Sequence, residues 1–150
     1  MCIRDSTNTI LVNVLIKDCE IGVQAKDRSM AVLYNCTLTG NRAAVDAYKK
    51  NWRYDQGGSA FIAKSVIEDN DSTLTVGKRS NIEVVDSYVS GAFEAAKRIV
   101  VDETVDEDSR TKAATDERLE PADHPVFEHS LIKSYLSHVD PRIRGARGLE

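Results

Sequence analysis

The segment YKKNWRYDQGG (residues 48–58) concentrates the side chains best suited to bind a ligand. It combines three basic and three aromatic residues: Lys49, Lys50, Arg53, Tyr48, Trp52 and Tyr54. Aromatic rings can stack on the faces of sugar rings, and Lys or Arg can pair with carboxylate or sulfate groups. These residue types predict a polysaccharide-binding loop made by Lys49, Lys50, Trp52, Arg53 and Tyr54. The alternative is structural: the large aromatic residues fold back over the flank of the protein, and the lysines keep the loop soluble.

Acidic residues elsewhere do not form a catalytic pattern. Glycosidases need two carboxylates that face one bond, whereas the adjacent Glu68 and Asp69 would point to opposite sides of a strand. Asp69, Asn70 and Asp71 offer clustered oxygens of the kind that Ca²⁺ favours, but this segment has no spaced ligand motif. We interpret these acids as solvated turn residues. We assign no catalytic residue, and we predict no metal site and no cofactor.

Four copies of a sequence repeat surround the basic and aromatic segment. They are ILVNVLIKDCEIGVQA (10–25), VLYNCTLTGNRAAVDA (32–47), FIAKSVIEDNDSTLTV (61–76) and EVVDSYVSGAFEAAKR (83–98). Their starts are 22, 29 and 22 residues apart, and the single long step is explained by seven extra residues within 48–58. A fixed period in this range indicates a stacked repeat architecture.

Aligned positions of the copies carry similar side chains. The columns are Leu11, Leu33, Ile62 and Val84; Ile16, Leu38, Ile67 and Val89; Val23, Val45 and Leu74; and the small residues Val14, Cys36, Ser65 and Ser87. Cys36 is therefore predicted to be a packed thiol. Cys19 aligns with the turn residues Asn41 and Asn70, so no disulfide between the two cysteines is expected. An asparagine ladder at positions 13, 35, 64 and 86 is only half present, because the last two positions hold Lys64 and Asp86.

The alternation of apolar and exposed residues within each copy has the period of a β-strand. We predict an all-β fold, a right-handed parallel β-helix of about four coils over residues 8–101. Coils would stack about 4.8 Å apart, and none would be stable alone. An antiparallel sandwich also uses short alternating strands, but the tight hairpin turns that favour it are absent. Arg28 and Arg79 are expected at corners two coils apart, either as solvated residues or as a basic stripe.

The stretch from Gly22 to Ile67 resembles a coil pattern of right-handed β-helix proteins in the pectin-lyase-like superfamily. More narrowly, it is similar to β-helix segments of uncharacterised bacterial proteins, some of which carry a CotH-like kinase domain. In those segments a KDxS corner precedes a strand and a loop with Ala-Tyr and two lysines interrupts a later coil. The matching positions here are 26–29 and 47–57. The resemblance covers residues 8–91, implies an extracellular or cell-surface protein, and supplies no catalytic residue.

These features together favour a non-catalytic scaffold or carbohydrate-contacting module of a bacterial surface or secreted protein. One alternative is a fragment of a polysaccharide lyase or hydrolase whose catalytic coils lie outside this chain. Another is a protein-assembly module that joins through exposed strand edges. A formal net charge of −4 argues against nucleic acid as a partner, and the apolar runs are too short to span a bilayer. The expected partners are polysaccharide and other domains of the same full-length chain.

The composition changes after Val101. Residues 102–123 hold nine acidic and three basic residues and predict an acidic linker. Residues 124–140 have apolar side chains near helical spacing and predict an amphipathic helix, followed by a tail at 141–150. At the other end, MCIRDS resembles translated adapter sequence. Residues 1–7 are therefore interpreted as a non-native leader, and the chain as a fragment of a longer protein.

Overall fold

The computed structural model describes residues 2–3, 7–91 and 99–104, with side chains for 7–91. In these ranges the chain is all-β, without a helix, and every strand pair is parallel. The strands are β1 (Cys2–Ile3), β2 (Asn8–Val12), β3 (Leu15–Lys17), β4 (Ile21–Lys26), β5 (Met30–Tyr34), β6 (Thr37–Thr39), β7 (Ala43–Tyr48), β8 (Ser59–Ala63), β9 (Val66–Glu68), β10 (Ser72–Val76), β11 (Asn81–Val89) and β12 (Ile99–Thr104).

Strands from successive copies pair in three rows. Row 1 contains β1, β4, β7 and β10 in that order. Row 2 contains β2, β5, β8, β11 and β12, and row 3 contains β3, β6, β9 and the second half of β11. Rows 2 and 3 join through the nine-residue strand β11, which pairs with β8 and then with β9. The described residues therefore form parallel sheets that curl into a solenoid-like stack, to which each copy contributes strands.

The strand register confirms the three aliphatic columns predicted from the sequence. Leu33 pairs with Leu11 on one side and Ile62 on the other, and Ile62 pairs with Val84. Equivalent pairing joins the other two columns: Ile16, Leu38, Ile67 and Val89, and Val23, Val45 and Leu74. The central members of each column are fully buried. Each such side chain contributes about 1.5–3 kcal/mol of burial free energy, so these ladders form the core.

The corners between rows use left-handed backbone at equivalent positions. Between rows 2 and 3, φ is 56°, 49°, 47° and 47° at Asn13, Asn35, Lys64 and Asp86. Between rows 3 and 1, the left-handed residues are Asp18, Gly40, Asp69 and Gly91. Asn, Asp and Gly adopt this conformation at the lowest cost. The repeated turn formers therefore change the chain direction at the same point in each copy, which keeps the copies in register.

An asparagine ladder lies just after the corner between rows 3 and 1, with Asn41 buried and Asn70 half-buried. We call it the buried ladder. The Asn70 side-chain oxygen accepts hydrogen bonds from the backbone N–H and the side chain of Asn41, both at 2.9 Å. The Asn70 amide donates to the Leu38 carbonyl at 3.0 Å, and the Asn41 oxygen accepts from Cys19 N at 3.0 Å. The half ladder predicted at positions 13 and 35 also forms, at 2.7 Å, but it is exposed. The buried ladder occupies the column interpreted from the sequence as turn residues.

The column of small residues is a second buried hydrogen-bonded ladder. Ser65 Oγ accepts from Cys36 N at 3.1 Å and donates to the Ala63 carbonyl at 2.8 Å. Ser87 Oγ likewise accepts from Ser65 N at 3.1 Å. Cys36 is buried, as predicted, and burial raises the pKa of its thiol while weak backbone hydrogen bonds act in the opposite direction. Cys19 and Cys36 are both free thiols.

Several predicted segments fall at or beyond the limits of the described residues. Strand β12 pairs Val101 with Val84 and continues to Thr104, so it includes the first three residues of the predicted linker. Strand β1 pairs with β4 and lies within the predicted leader. The remainder of the predicted linker, the predicted helix at 124–140 and the tail lie outside the described residues, and those assignments stay predictions.

Replacing Asn70 by Ala should lower the free energy of unfolding by about 1–3 kcal/mol, because the buried Asn41 N–H and the Leu38 carbonyl lose their partners. Asn35→Gly removes the exposed bond to Asn13 and keeps a residue suited to a φ of 49°. It should cost less than about 1 kcal/mol. Urea unfolding measures both losses. Equal losses would contradict the larger role assigned to the buried ladder.

Candidate functional site

The extra residues of the long repeat step form a loop, residues 49–58, between β7 and β8. The two ends of this loop meet, because Gly58 N donates to the Tyr48 carbonyl at 3.0 Å. Strand β8 then pairs with β5 in the usual register, with Ser59 opposite Met30. The insertion therefore leaves the stack and returns to it without disturbing the pairing of the copies.

Asp27, in the corner of the preceding copy, anchors this loop. Its side chain is 1% exposed, and one carboxylate oxygen accepts hydrogen bonds from Lys50 N and Asn51 N, both at 2.8 Å. A buried carboxylate needs such charge-assisted partners, since an unpaired one would be strongly penalised. No role was predicted for Asp27. The signal was available, because the resemblance places a KDxS corner and the lysine loop in the same pattern.

The tip of the loop points its largest side chain at solvent. Asn51 organises the tip: its side-chain oxygen accepts from Arg53 N at 3.0 Å, and its carbonyl accepts from Tyr54 N at 3.3 Å. Trp52 is 83% exposed, and the Arg53 guanidinium carbon lies 5.7 Å from the centroid of its ring. The structural alternative required Trp52 and Tyr54 to cover the flank of the fold. Trp52 does not do so, whereas Tyr54 is half-buried.

Two glycines allow the base of the loop to fit between neighbouring copies. A Cβ atom on Gly57 would lie 2.0 Å from Ser80 Oγ, and one on Gly58 would lie 2.1 Å from the Ala25 carbonyl oxygen. Gly57 also bridges two corners: its carbonyl accepts from Arg28 N at 3.0 Å, and its N–H donates to the Arg79 carbonyl at 2.8 Å. The two arginine corners thus lie two layers apart, as predicted, with the loop base as the layer between them.

All five residues of the predicted site lie on this anchored loop. Lys50, Trp52 and Arg53 are exposed, while Lys49 and Tyr54 are half-buried. The arrangement can place an aromatic ring face and several positive charges before one ligand. Binding of polysaccharide by this set stays a prediction.

The acidic turns do not come together in the same way. Asp18, Asp69 and Asp71 are exposed. The Asn70 carboxamide, which was considered as a calcium ligand, donates to backbone carbonyls and accepts from Asn41. Within residues 7–91, no three His, Cys, Asp or Glu side chains are grouped so that they could hold a metal ion.

Comparison with known proteins gives no match to the chain among family models, curated proteins or solved structures. The resemblance to the pectin-lyase-like superfamily therefore stays a prediction from the sequence. In the part of the chain that the structure describes, no helix is both long enough and apolar enough to cross a bilayer.

Removing the anchor should loosen the loop. Asp27→Gly keeps a residue suited to the φ of 48° but leaves the N–H groups of Lys50 and Asn51 without their acceptor. We expect a loss of about 1–3 kcal/mol in the free energy of unfolding and faster tryptic cleavage of the native protein after Lys49, Lys50 or Arg53.

Two matched variants control this experiment. Asp27→Asn keeps an acceptor oxygen, so trypsin should cleave this variant at close to the wild-type rate. Asp46→Ala removes a carboxylate of β7 that accepts from Gln24 of β4 and not from the loop backbone, and it should leave cleavage of the loop unchanged. Mass spectrometry of the first fragments identifies the cleavage sites. If the wild type and all three variants are cleaved at the same rate, Asp27 does not hold the loop.

Proposed function

We propose that residues 8–101 form a right-handed parallel β-helix of about four coils, of the pectin-lyase-like kind. The in-register pairing of equivalent residues in successive copies supports this proposal. Corners with left-handed backbone at equivalent positions support it as well, because they make each copy follow the same path.

We propose further that this solenoid is a non-catalytic scaffold of a bacterial surface or secreted protein, and that it contacts polysaccharide through the loop at 49–58. One observation carries the proposal: Trp52, 83% exposed, stands on a loop whose base is fastened by the buried Asp27 carboxylate. A large aromatic side chain left in water is unfavourable for the free protein. A pre-organised binding loop offsets part of the entropy cost of association.

The geometry of the tip suits a charged sugar polymer. Arg53 lies over the Trp52 ring, and the high exposure of Trp52 leaves the remainder of the indole open to a sugar ring. Lys50 and Arg53 are exposed beside it and can pair with carboxylate or sulfate groups. Stacking would supply affinity that persists at high salt, while the charge pairs would weaken as salt screens them.

Trp52→Ala should weaken binding to uronate-containing polysaccharides by about 1 kcal/mol or more, which is about fivefold, and leave the melting temperature nearly unchanged. The side chain is too exposed to contribute much to folding. Calorimetric titration of each polysaccharide, at low and high salt, measures the loss. The wild-type protein should retain part of its affinity at high salt, and the variant should lose most of that part.

Leu15→Ala is the matched control, because Leu15 is the other large hydrophobic residue exposed among residues 7–91, at 59%, and lies on row 3. It should bind like the wild type. A wild-type protein that binds none of the polysaccharides, or a Trp52→Ala protein that binds as tightly as the wild type, would refute the proposed contact.

A further inference from the structure

Charge is unevenly distributed over the described solenoid. Residues 7–91 contain ten basic and ten acidic residues. Three short segments, 26–29, 49–58 and 77–80, hold seven of these basic residues but only two of the acidic ones. The basic residues are Lys26, Arg28, Lys49, Lys50, Arg53, Lys78 and Arg79. We call these three segments the basic corner.

Backbone hydrogen bonds bring the three segments of the basic corner together. Gly57 joins the loop to Arg28 on one side and Arg79 on the other, at 3.0 and 2.8 Å. Arg79 also donates from its guanidinium to the Asp55 carbonyl at 3.1 Å. Residues about fifty positions apart in the chain therefore share one edge of the stack. The sequence alone predicts the loop and the arginine corners only as separate features.

Within the described residues, the positive charge of this corner is only partly offset, because two acidic residues stand against seven basic ones. Asp27 is buried, and its bonded oxygen faces the loop backbone, which leaves Asp55 as the exposed acid of the corner. The ion pair found in residues 7–91 joins Arg42 to Glu20, outside this corner. Five of the cationic side chains are exposed to an anionic ligand, although Arg79 already donates one N–H to the Asp55 carbonyl. They are Arg28, Lys50, Arg53, Lys78 and Arg79.

Arg28 and Arg79 both adopt a backbone conformation that is unfavourable for arginine. Arg28 and Arg79 have φ values of 64° and 57°, in a region where Gly, Asn or Asp costs less. Most other left-handed positions of this chain do hold Asn, Asp or Gly. This less favourable conformation at two positions of one corner is consistent with a role for these side chains beyond the fold, although Lys64 has the same conformation outside the corner.

We infer that the basic corner binds an anionic polysaccharide, with carboxylate or sulfate groups, that runs along the stacking direction. Arg28 and Arg79, two layers or about 9–10 Å apart, pair with anionic groups on successive parts of the polymer, and Trp52 stacks on a sugar ring between or beside them. This inference rests on the proposed function and extends it in two ways. It sets the direction of the polymer along the stack, and it adds Arg28, Lys78 and Arg79 to the binding residues.

Nucleic acid is the alternative polyanionic ligand, and the charge and the aromatic residues of the protein suit it less well than a polysaccharide. The whole chain carries a formal net charge of −4, whereas non-specific nucleic-acid binding draws on a broad excess of positive charge. Proteins that hold single strands also stack successive bases on several aromatic side chains. Within the described residues this corner exposes one large ring, that of Trp52.

A triple variant with Arg28→Asn, Lys78→Gln and Arg79→Asn tests the inference outside the loop. Asn suits left-handed backbone, so the variant should remain folded, and a melt checks this. Its affinity for a polyuronate at low salt should fall by about tenfold or more, since charge-assisted hydrogen bonds contribute on that scale. The dependence of affinity on salt should also become shallower. Lys78→Glu, at an exposed position with ordinary backbone, should weaken binding in the same direction.

The chain offers a control with the same change in charge. Lys17→Gln, Arg42→Gln and Lys64→Asn replace the three basic residues of 7–91 that lie outside the basic corner, one of them also at left-handed backbone. This triple variant should bind like the wild type. A neutral polysaccharide and a single-stranded oligonucleotide, titrated in parallel, should bind at least about tenfold more weakly than the polyuronate.

The outcomes separate this inference from the proposed function. If the corner triple and Lys78→Glu bind like the wild type while Trp52→Ala is weakened, Arg28, Lys78 and Arg79 are not part of the site and the loop contact stands. Equal losses of affinity in the corner and control triple variants would show that the loss comes from the change in overall charge. Equal affinity for the neutral glycan or the oligonucleotide would overturn the ligand class. A wild type that binds no glycan would refute both proposals.

Discussion

Parallel pairing of equivalent residues in successive copies is the constraint on which the rest of the structure depends. A shift of one residue would move Leu33 and its partners from the core to the outer face, so the aliphatic ladders hold the register. The same register places each corner over the previous one. Polar side chains at the corners can then satisfy one another, as Asn70 does for Asn41 and Ser65 for Cys36. Apolar burial and polar satisfaction therefore favour the same arrangement.

The register also determines where extra residues can go. The longer repeat step cannot enter the stack without breaking the pairing, so the chain leaves at a corner and returns where Gly58 meets Tyr48. Gly57 and Gly58 allow the close approach, and Asp27 fastens the excursion to the copy before it. Exposed side chains of the loop thus stand on a fixed base. Because corners stack, basic residues from three separate segments meet there, and the proposed anionic-glycan site is a consequence of the stacking.

The features of this structure that could be predicted are those that recur in every copy of the sequence repeat. The spacing of Leu11, Leu33, Ile62 and Val84 sufficed to align the core column. Which asparagine column turns inward could not be read from the sequence, because both are turn formers and only the corner geometry distinguishes them. The role of Asp27 and the exposure of Trp52 depend on the direction in which the loop leaves the stack. Periodicity carries no information about that direction. The handedness, the number of coils and the assignments for 105–150 stay predictions.

Disulfide trapping on row 1 tests the stacking register most directly. Gln24 and Asp46 are Cα partners in adjacent copies, and Asp46 is in turn the partner of Thr75. In a background with the native cysteines replaced by serine, Gln24→Cys with Asp46→Cys should oxidise to an intramolecular disulfide, because adjacent strands lie about 4.8 Å apart. Gln24→Cys with Thr75→Cys, about 9.6 Å apart across two layers, should remain reduced. Efficient trapping of the second pair, or failure of the first in a folded protein, would contradict the in-register stack.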